Sequence, residues 1–207
     1  MPGGVIPDWR QRPFRCTWPQ VRIFRNMFEA GRVFPAAVVA IGKFDAIHRG
    51  HRRVLRLAVK KAKALKTFCV VVTFDPAADQ YMRLYPSRPV LSVAERIEQM
   101  AKFGIDGVVL LPFDKKLACL SPEAFAKDVL ALQLKPLAVC VGEDFCFGKD
   151  RAGRVETLQQ LGPELGFLVY PVPLLSSGGE KISATRIRRL LERGRKAEAE
   201  ALLGRKL

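Results

Sequence analysis

The sequence predicts an α/β fold, a five-stranded parallel sheet with helices on both faces. Two patterns carry that expectation. Short valine-rich apolar runs recur at Ala36 to Ile41, Thr67 to Phe74, Gly107 to Leu111, Leu137 to Val141 and Phe167 to Val172. They have the length and near-continuous apolarity of strands buried on both faces. Between them lie segments with helical spacing or helix-start signals, and such alternation implies crossover connections in a parallel sheet.

Taken in order, residues 1 to 35 hold Pro2, Pro7, Pro13, Pro19 and Pro35 among scattered arginines, and read as an irregular arm. That arm has room for one short element around Val21 to Phe28. After the first strand, Val54, Leu55, Ala58, Ala62 and Leu65 mark one face of a helix over 50 to 66. Ser92 and Glu95 form a capping-box pair that opens a helix through Ala101, which Gly104 ends. Pro112 closes the third strand. Ser121-Pro122 supplies an N-cap and a proline at the first helical position, starting a helix to about Leu134. A short helix follows at Val155 to Leu161, and Ser183 to Arg193 and Lys196 to Leu203 close the chain as helices.

The chain has 207 residues, of which 49% are hydrophobic, enough for the core of one α/β domain with small appendages. No apolar run approaches the length that spans a bilayer. The first run comes too late for a secretory signal. Four prolines in the first nineteen residues, and no serine before Ser87, argue against a transit peptide, so a cytoplasmic location is expected. Five cysteines at irregular spacing imply no disulfide framework, and Cys69 and Cys140, inside apolar runs, read as small core residues.

The net charge is +15, and eight basic residues with no acid lie between Asp45 and Asp75. A helix so charged could follow a phosphate backbone, but no nucleic-acid module or aromatic stacking stripe accompanies it. The reading preferred here is a solvated basic face, with no nucleic-acid partner and no membrane.

Chemistry concentrates at the carboxyl ends of the expected strands, where ligands of open α/β sheets bind. Gly42 to His51 occupies the turn from the first strand into the following helix. Unpaired backbone N–H groups and the helix dipole favour anions there. The two histidines of the chain, His48 and His51, stand three residues apart at that mouth, with Gly50 leaving room for a ligand. A metal site would need further ligands, and neither a third histidine nor a Cys-x-x-Cys is present. Phosphate is the expected ligand. Asp75-Pro76, Pro112-Phe113-Asp114, Gly142 to Gly148 and Lys181 to Arg188 follow the other strands onto the same rim.

These residues also carry a resemblance. Gly42-x-Phe44-Asp45-x-x-His48-x-Gly50-His51, with Ile182-Ser183-x-Thr185-x-Ile187-Arg188, resembles the signature of the nucleotidylyltransferase superfamily. Phe74-Asp75-Pro76, Pro112-Phe113-Asp114, Leu120-Ser121-Pro122-Glu123-Ala124-Phe125 and Val141-Gly142-Glu143-Asp144-Phe145-x-Phe147-Gly148 narrow it. Together they resemble the FAD synthetase (FMN adenylyltransferase) module of bacterial riboflavin kinase/FAD synthetases, over about Ala36 to Leu207. The family's flavokinase domain usually begins after a Leu-Leu-Gly-Arg segment, here Leu202 to Arg205, two residues before the last residue. The expectation is therefore an adenylyltransferase domain over 36–207 with no kinase domain.

The resemblance implies a Rossmann-like nucleotidylyltransferase fold and the reaction of ATP with FMN to give FAD and pyrophosphate. Mg²⁺ would be carried mainly by the ATP phosphates. His48, His51 and Arg188 would be catalytic. Gly42, Phe44, Asp45, Gly50, Ser183 and Thr185 would bind nucleotide, and Asp75, Pro76, Phe113, Asp144, Phe145 and Phe147 would border the flavin and nucleotide pocket. Lys43, Ala46, Ala77, Ala78 and Ala184 depart from the usual family spelling. The hydroxyl absent at Ala184 is worth roughly 0.5–1.5 kcal/mol, enough to slow catalysis without abolishing it. The change at 77 and 78 is expected to bear on flavin affinity or choice. Two alternatives accompany this reading: transfer to another phosphorylated acceptor, or a basic nucleotide- or nucleic-acid-binding relative that has lost turnover.

Overall fold

The protein is described by a computed structural model over residues 21–75 and 89–207. Six strands form one sheet: β1 (Arg22–Phe24), β2 (Val38–Ile41), β3 (Cys69–Phe74), β4 (Gly107–Leu111), β5 (Ala138–Gly142) and β6 (Leu168–Val172). Their order is β1-β4-β3-β2-β5-β6, and every pairing is parallel. All five expected strands are present.

The sixth, β1, corrects the expected count of five. It lies in the segment read as an irregular arm, and so does α1 (Met27–Val33). Phe24, Met27, Ala30 and Phe34 are buried there. Three residues are too few for a period-2 pattern to declare itself. The order of β1 comes from its parallel ladder on β4, with Arg22 opposite Gly107 and Phe24 opposite Val109. Asn26 caps α1, accepting from the N–H groups of Phe28 and Glu29.

Alternate strand residues feed two cores. Val39, Ile41, Val70, Val72, Val109, Leu111, Val139 and Val141 face one layer, which holds α1, the helix following Ser121 and α6 (Val155–Glu164). Val38, Ala40, Val71, Val108, Ala138 and Cys140 face the other, under α2 (Arg49–Ala64) and α3 (Val93–Ala101). Cys69 and Cys140 are buried as expected, and burial pushes the Cys140 thiol up to about 12. The Ser92–Glu95 capping box forms in both directions, at 3.2 Å and 2.8 Å.

Between β4 and β5, a short helix α4 (Lys115–Ala118) precedes α5. Ser121 caps α5 with Pro122 in its first turn, and the helix runs as α-helix over Pro122–Ala124. It then widens to i→i+5 bonding over Phe125–Leu134 and ends at Lys135, at φ 49°. After β6, β7 (Ser176–Ser177) and β8 (Glu180–Lys181) form a hairpin leading into α7 (Ala184–Glu192) and α8 (Lys196–Leu203). A third apolar cluster joins Ala46 to Ile187, Leu190, Ala199, Leu202 and Leu203, fixing the last two helices against the turn after β2. Among the described residues no helix is long and apolar enough to cross a membrane.

Candidate active site

From β2 the chain adds β3 and β4 on one side, then returns to add β5 and β6 on the other. The strand order therefore reverses between β2 and β5, where open parallel sheets part their loops and admit ligands. A cleft of about 330 Å³ opens there, lined by the turn after β2, the loop after β5 and the segment from β6 into α7. Of the five loops expected on one rim, these three converge.

The turn after β2 is held open against its own backbone preferences. Phe44 and Ile47 adopt φ of 49° and 44°. The left-handed region costs a non-glycine residue about 1–3 kcal/mol, and a β-branched isoleucine is an outlier there. Both side chains are buried, so packing holds the conformation. The result places His48 as N-cap of α2, its Nδ1 accepting from the His51 N–H at 3.3 Å. The ring therefore carries its proton on Nε2 while neutral.

The two imidazoles stack at 3.7 Å between centroids, and the Phe44 ring meets His51 edge-on at 5.2 Å. Burial lowers the pKa of His48 from 6.5 to about 4; Asp144 opposes this and Lys181 adds to it. His51 is also held well below its ordinary value, by burial first and then by His48 and Lys181. Both rings are thus neutral donors or acceptors near pH 7. Gly50 lines the cleft, and a Cβ there would come 3.1 Å from the His48 ring, so only glycine leaves both the ring and the opening in place.

Asp45 is buried at the base of the turn. It accepts from the Val90 N–H at 3.2 Å and faces the Arg188 Nε at 3.6 Å. Arg188 reaches it from α7, whose N-cap is Ser183, accepting from the Arg186 N–H at 3.2 Å. The N-termini of α2 and α7 thus meet on one cleft, each contributing unpaired N–H groups and the positive end of a dipole. Ser183, Thr185, Gly42 and Phe145 line the same space. Asp144, from the loop after β5, pairs with Lys181 of β8 and ties the two remaining walls together.

Three of the residues expected to border the flavin and nucleotide pocket do not line this cleft. Phe147 is core: it packs on Phe125 and Phe145 and bridges Gly153, so the loop folds back and buries it. Asp75 pairs with Arg25 at 3.1 Å and does not line the cleft, although Phe74 just before it does. Phe113 touches the cleft only through Phe74, which it meets edge-on at 5.7 Å. Pro76, Ala77 and Ala78 lie outside the described residues.

Sequence reasoning missed Arg96 and gave Lys181 no role of its own. Arg96 is buried, donating to the Lys43 carbonyl at 3.1 Å and the Phe74 carbonyl at 3.4 Å, and so fixes the ends of β2 and β3. Its signal was positional: Val93, Arg96, Ile97 and Met100 share one helical stripe, and a basic residue in an apolar stripe needs buried acceptors.

An all-parallel sheet with two helix N-termini and a His-x-x-His pair at its reversal point marks the class of doubly wound α/β folds that take ligands where the strand order reverses. The fold is shared by the pantoate-beta-alanine ligase of Francisella tularensis, at TM-score 0.55 and 15% identity over 88% of this chain and 86% of that one. A structure named as a macrolide-efflux protein of Streptococcus pneumoniae superposes at TM-score 0.78 and 29% identity, covering 91% of this chain and 71% of that one. Within that class the assignment is narrower. The family model described as FAD synthetase matches residues 32–186, and the chain belongs to that family.

Among the relatives, the bifunctional riboflavin kinase/FMN adenylyltransferase of Escherichia coli strain K12 is 32% identical over 189 residues. That match spans 89% of this chain and 58% of the relative. A protein of Geobacillus thermodenitrificans (strain NG80-2), provisionally given the same bifunctional name, is 36% identical over 178 residues, 84% of this chain and 93% of its own length.

Proposed function

We propose that this protein transfers the adenylyl group of ATP to FMN, giving FAD and pyrophosphate. A phosphate oxygen of FMN attacks the α-phosphorus of ATP; a new P–O bond forms and the bond to the β-phosphate's bridging oxygen breaks. Pyrophosphate leaves with the negative charge. No protein nucleophile is needed, and the work is alignment and neutralisation of that charge.

The observation that supports this reading is the meeting of two helix N-termini around a neutral, stacked histidine pair. The His48 Nε2–H and the first N–H groups of α2 suit the oxygens of a triphosphate. The N-terminus of α7, with Ser183 and Thr185, suits the departing β- and γ-phosphates. Arg188, held by Asp45, provides fixed positive charge beside them. Lys181 adds a further cation at the cleft, part-exposed and paired with Asp144 in the absence of substrate. Mg²⁺ belongs to this reading as the counter-ion of the substrate triphosphate. Among the described residues no three His, Cys, Asp or Glu side chains converge as a metal cage, so these residues offer the ion no dedicated site.

The test is direct. Purified protein is incubated with ATP, Mg²⁺ and FMN, and the flavins are separated by chromatography, with riboflavin as the parallel acceptor. FAD from FMN, none from riboflavin, and one pyrophosphate per FAD are expected. ATP consumption without FAD would move the reading to another phosphorylated acceptor.

A further inference from the structure

We infer that Arg205, just beyond α8, is a positioning residue for the phosphate-binding turn: its guanidinium fixes the left-handed peptide that sets His48 at the head of α2. The kinetic consequence rests on the adenylyl-transfer reading, while the geometry does not.

Arg205 donates through Nη1 to the Ile47 carbonyl at 3.2 Å and through Nη2 to the Ala46 carbonyl at 3.1 Å. These two carbonyls flank Ile47, the β-branched residue at φ 44°. A forked donor grips both ends of that unfavourable residue at once, which a single ammonium cannot match. The contact crosses 158 residues of chain. An arginine serving only to finish α8 would bond the last carbonyls of α8 itself.

A reciprocal contact locks the clasp. Arg52, in the first part of α2, donates to the carbonyls of Gly204 and Leu203. Gly204 sits at φ 69°, and a Cβ there would approach the Arg49 Cγ at 3.1 Å and the Arg52 guanidinium at 3.2 Å. One arginine thus reaches from the tail to the turn, and the other from the helix to the tail. Beneath them Leu202 and Leu203 pack with Ala46 in one apolar cluster. His48 follows Ile47 directly, so the clasp sets where its ring lies, and through the His48 Nδ1 contact and the 3.7 Å stack it also sets His51.

The experiment compares the full chain with its Arg205→Ala and Arg205→Lys variants. Its readouts are steady-state kinetics with ATP and FMN, addition of millimolar guanidinium, and nitrogen-15 spectra of the His51 amide and the histidine rings. Arg205→Ala should lower kcat by about 10- to 100-fold, the scale on which misplaced groups act. KM for FMN should hold, guanidinium should restore part of the rate, and the His51 amide should shift. Arg205→Lys, with one point donor, should fall between the two and serves as the comparison should the alanine variant not fold. Wild-type kcat with unmoved His51 and His48 signals in either folded variant would overturn the inference. So would a rate loss that guanidinium leaves untouched and that is matched by a loss of folded protein. If the unaltered chain makes no FAD, the adenylyl-transfer reading fails, and the spectra alone still decide the role of Arg205.

Discussion

Acidification should weaken the fold through His48. Its pKa falls from 6.5 to about 4 in the folded chain because burial disfavours the imidazolium; Asp144 opposes the shift and Lys181 adds to it. The unfolded chain therefore takes up the proton first. Stability is full above 6.5, falls as the pH drops through the window from 6.5 to about 4, and levels off below it. At about 1.36 kcal/mol per pH unit, the loss through His48 reaches about 2 kcal/mol by a pH of about 5, and about 3 kcal/mol at the bottom of the window. His51, also lowered, adds in the same direction. Urea denaturation at pH values of about 7.5 and about 5 would measure this for the wild type and for His48→Asn. Asparagine is a strong N-cap and keeps an acceptor for the His51 N–H while removing the titration. Between the two pH values the wild type should lose about 2 kcal/mol more than the variant. Equal losses would mean that His48 is not held neutral, and the electrostatic account of the cleft would fail with it.

Two further perturbations separate site from scaffold. Arg188→Met leaves the Asp45 carboxylate buried without its guanidinium. It should cost about 3–5 kcal/mol in denaturation and abolish adenylyl transfer, whereas Asp45→Asn with Arg188→Met should recover much of the stability and none of the activity. Gly31→Ala would place a Cβ 2.2 Å from the Gln133 carbonyl oxygen, where α1 crosses α5. A loss of about 1–3 kcal/mol in urea denaturation, with unchanged turnover per folded molecule, is expected because no α1 residue lines the cleft.

The buried strands and the two histidines were readable because each rests on a local signal: a run of valines, or a motif at a strand-to-helix turn. β1 was not, since three residues hold no period and its order comes from β4, more than 80 positions away in the chain. The loop after β5 divides its residues for a related reason. Phe145 and Phe147 look equivalent in sequence, but the bridge from Phe147 to Gly153 turns the chain back, leaving one ring at the cleft and the other in the core. Asp75 and Phe113 follow the right strands, yet which residue at a strand end reaches the cleft is set by strand order and the turn of each loop, which sequence alone does not state. Arg96 was hidden because its partners are backbone carbonyls, which every residue possesses.

The outermost strands also bear on how this chain behaves at high concentration. In β6 the Leu168 N–H bonds to Leu137 and the Val172 carbonyl accepts from Glu143, so Leu168, Tyr170 and Val172 turn their amides inward. Val169 and Pro171 then face the open side, and at Pro171 an incoming strand would find no N–H to accept. On the opposite margin β1 offers one outward amide, that of Ile23, between two residues committed to β4. Among the described residues neither margin presents the long unbroken ladder that templates strand addition, and copies each bearing a net charge of +15 repel one another as their edges approach. The two ends of the sheet are thus poor templates for a further strand, well apart from the cleft at its centre.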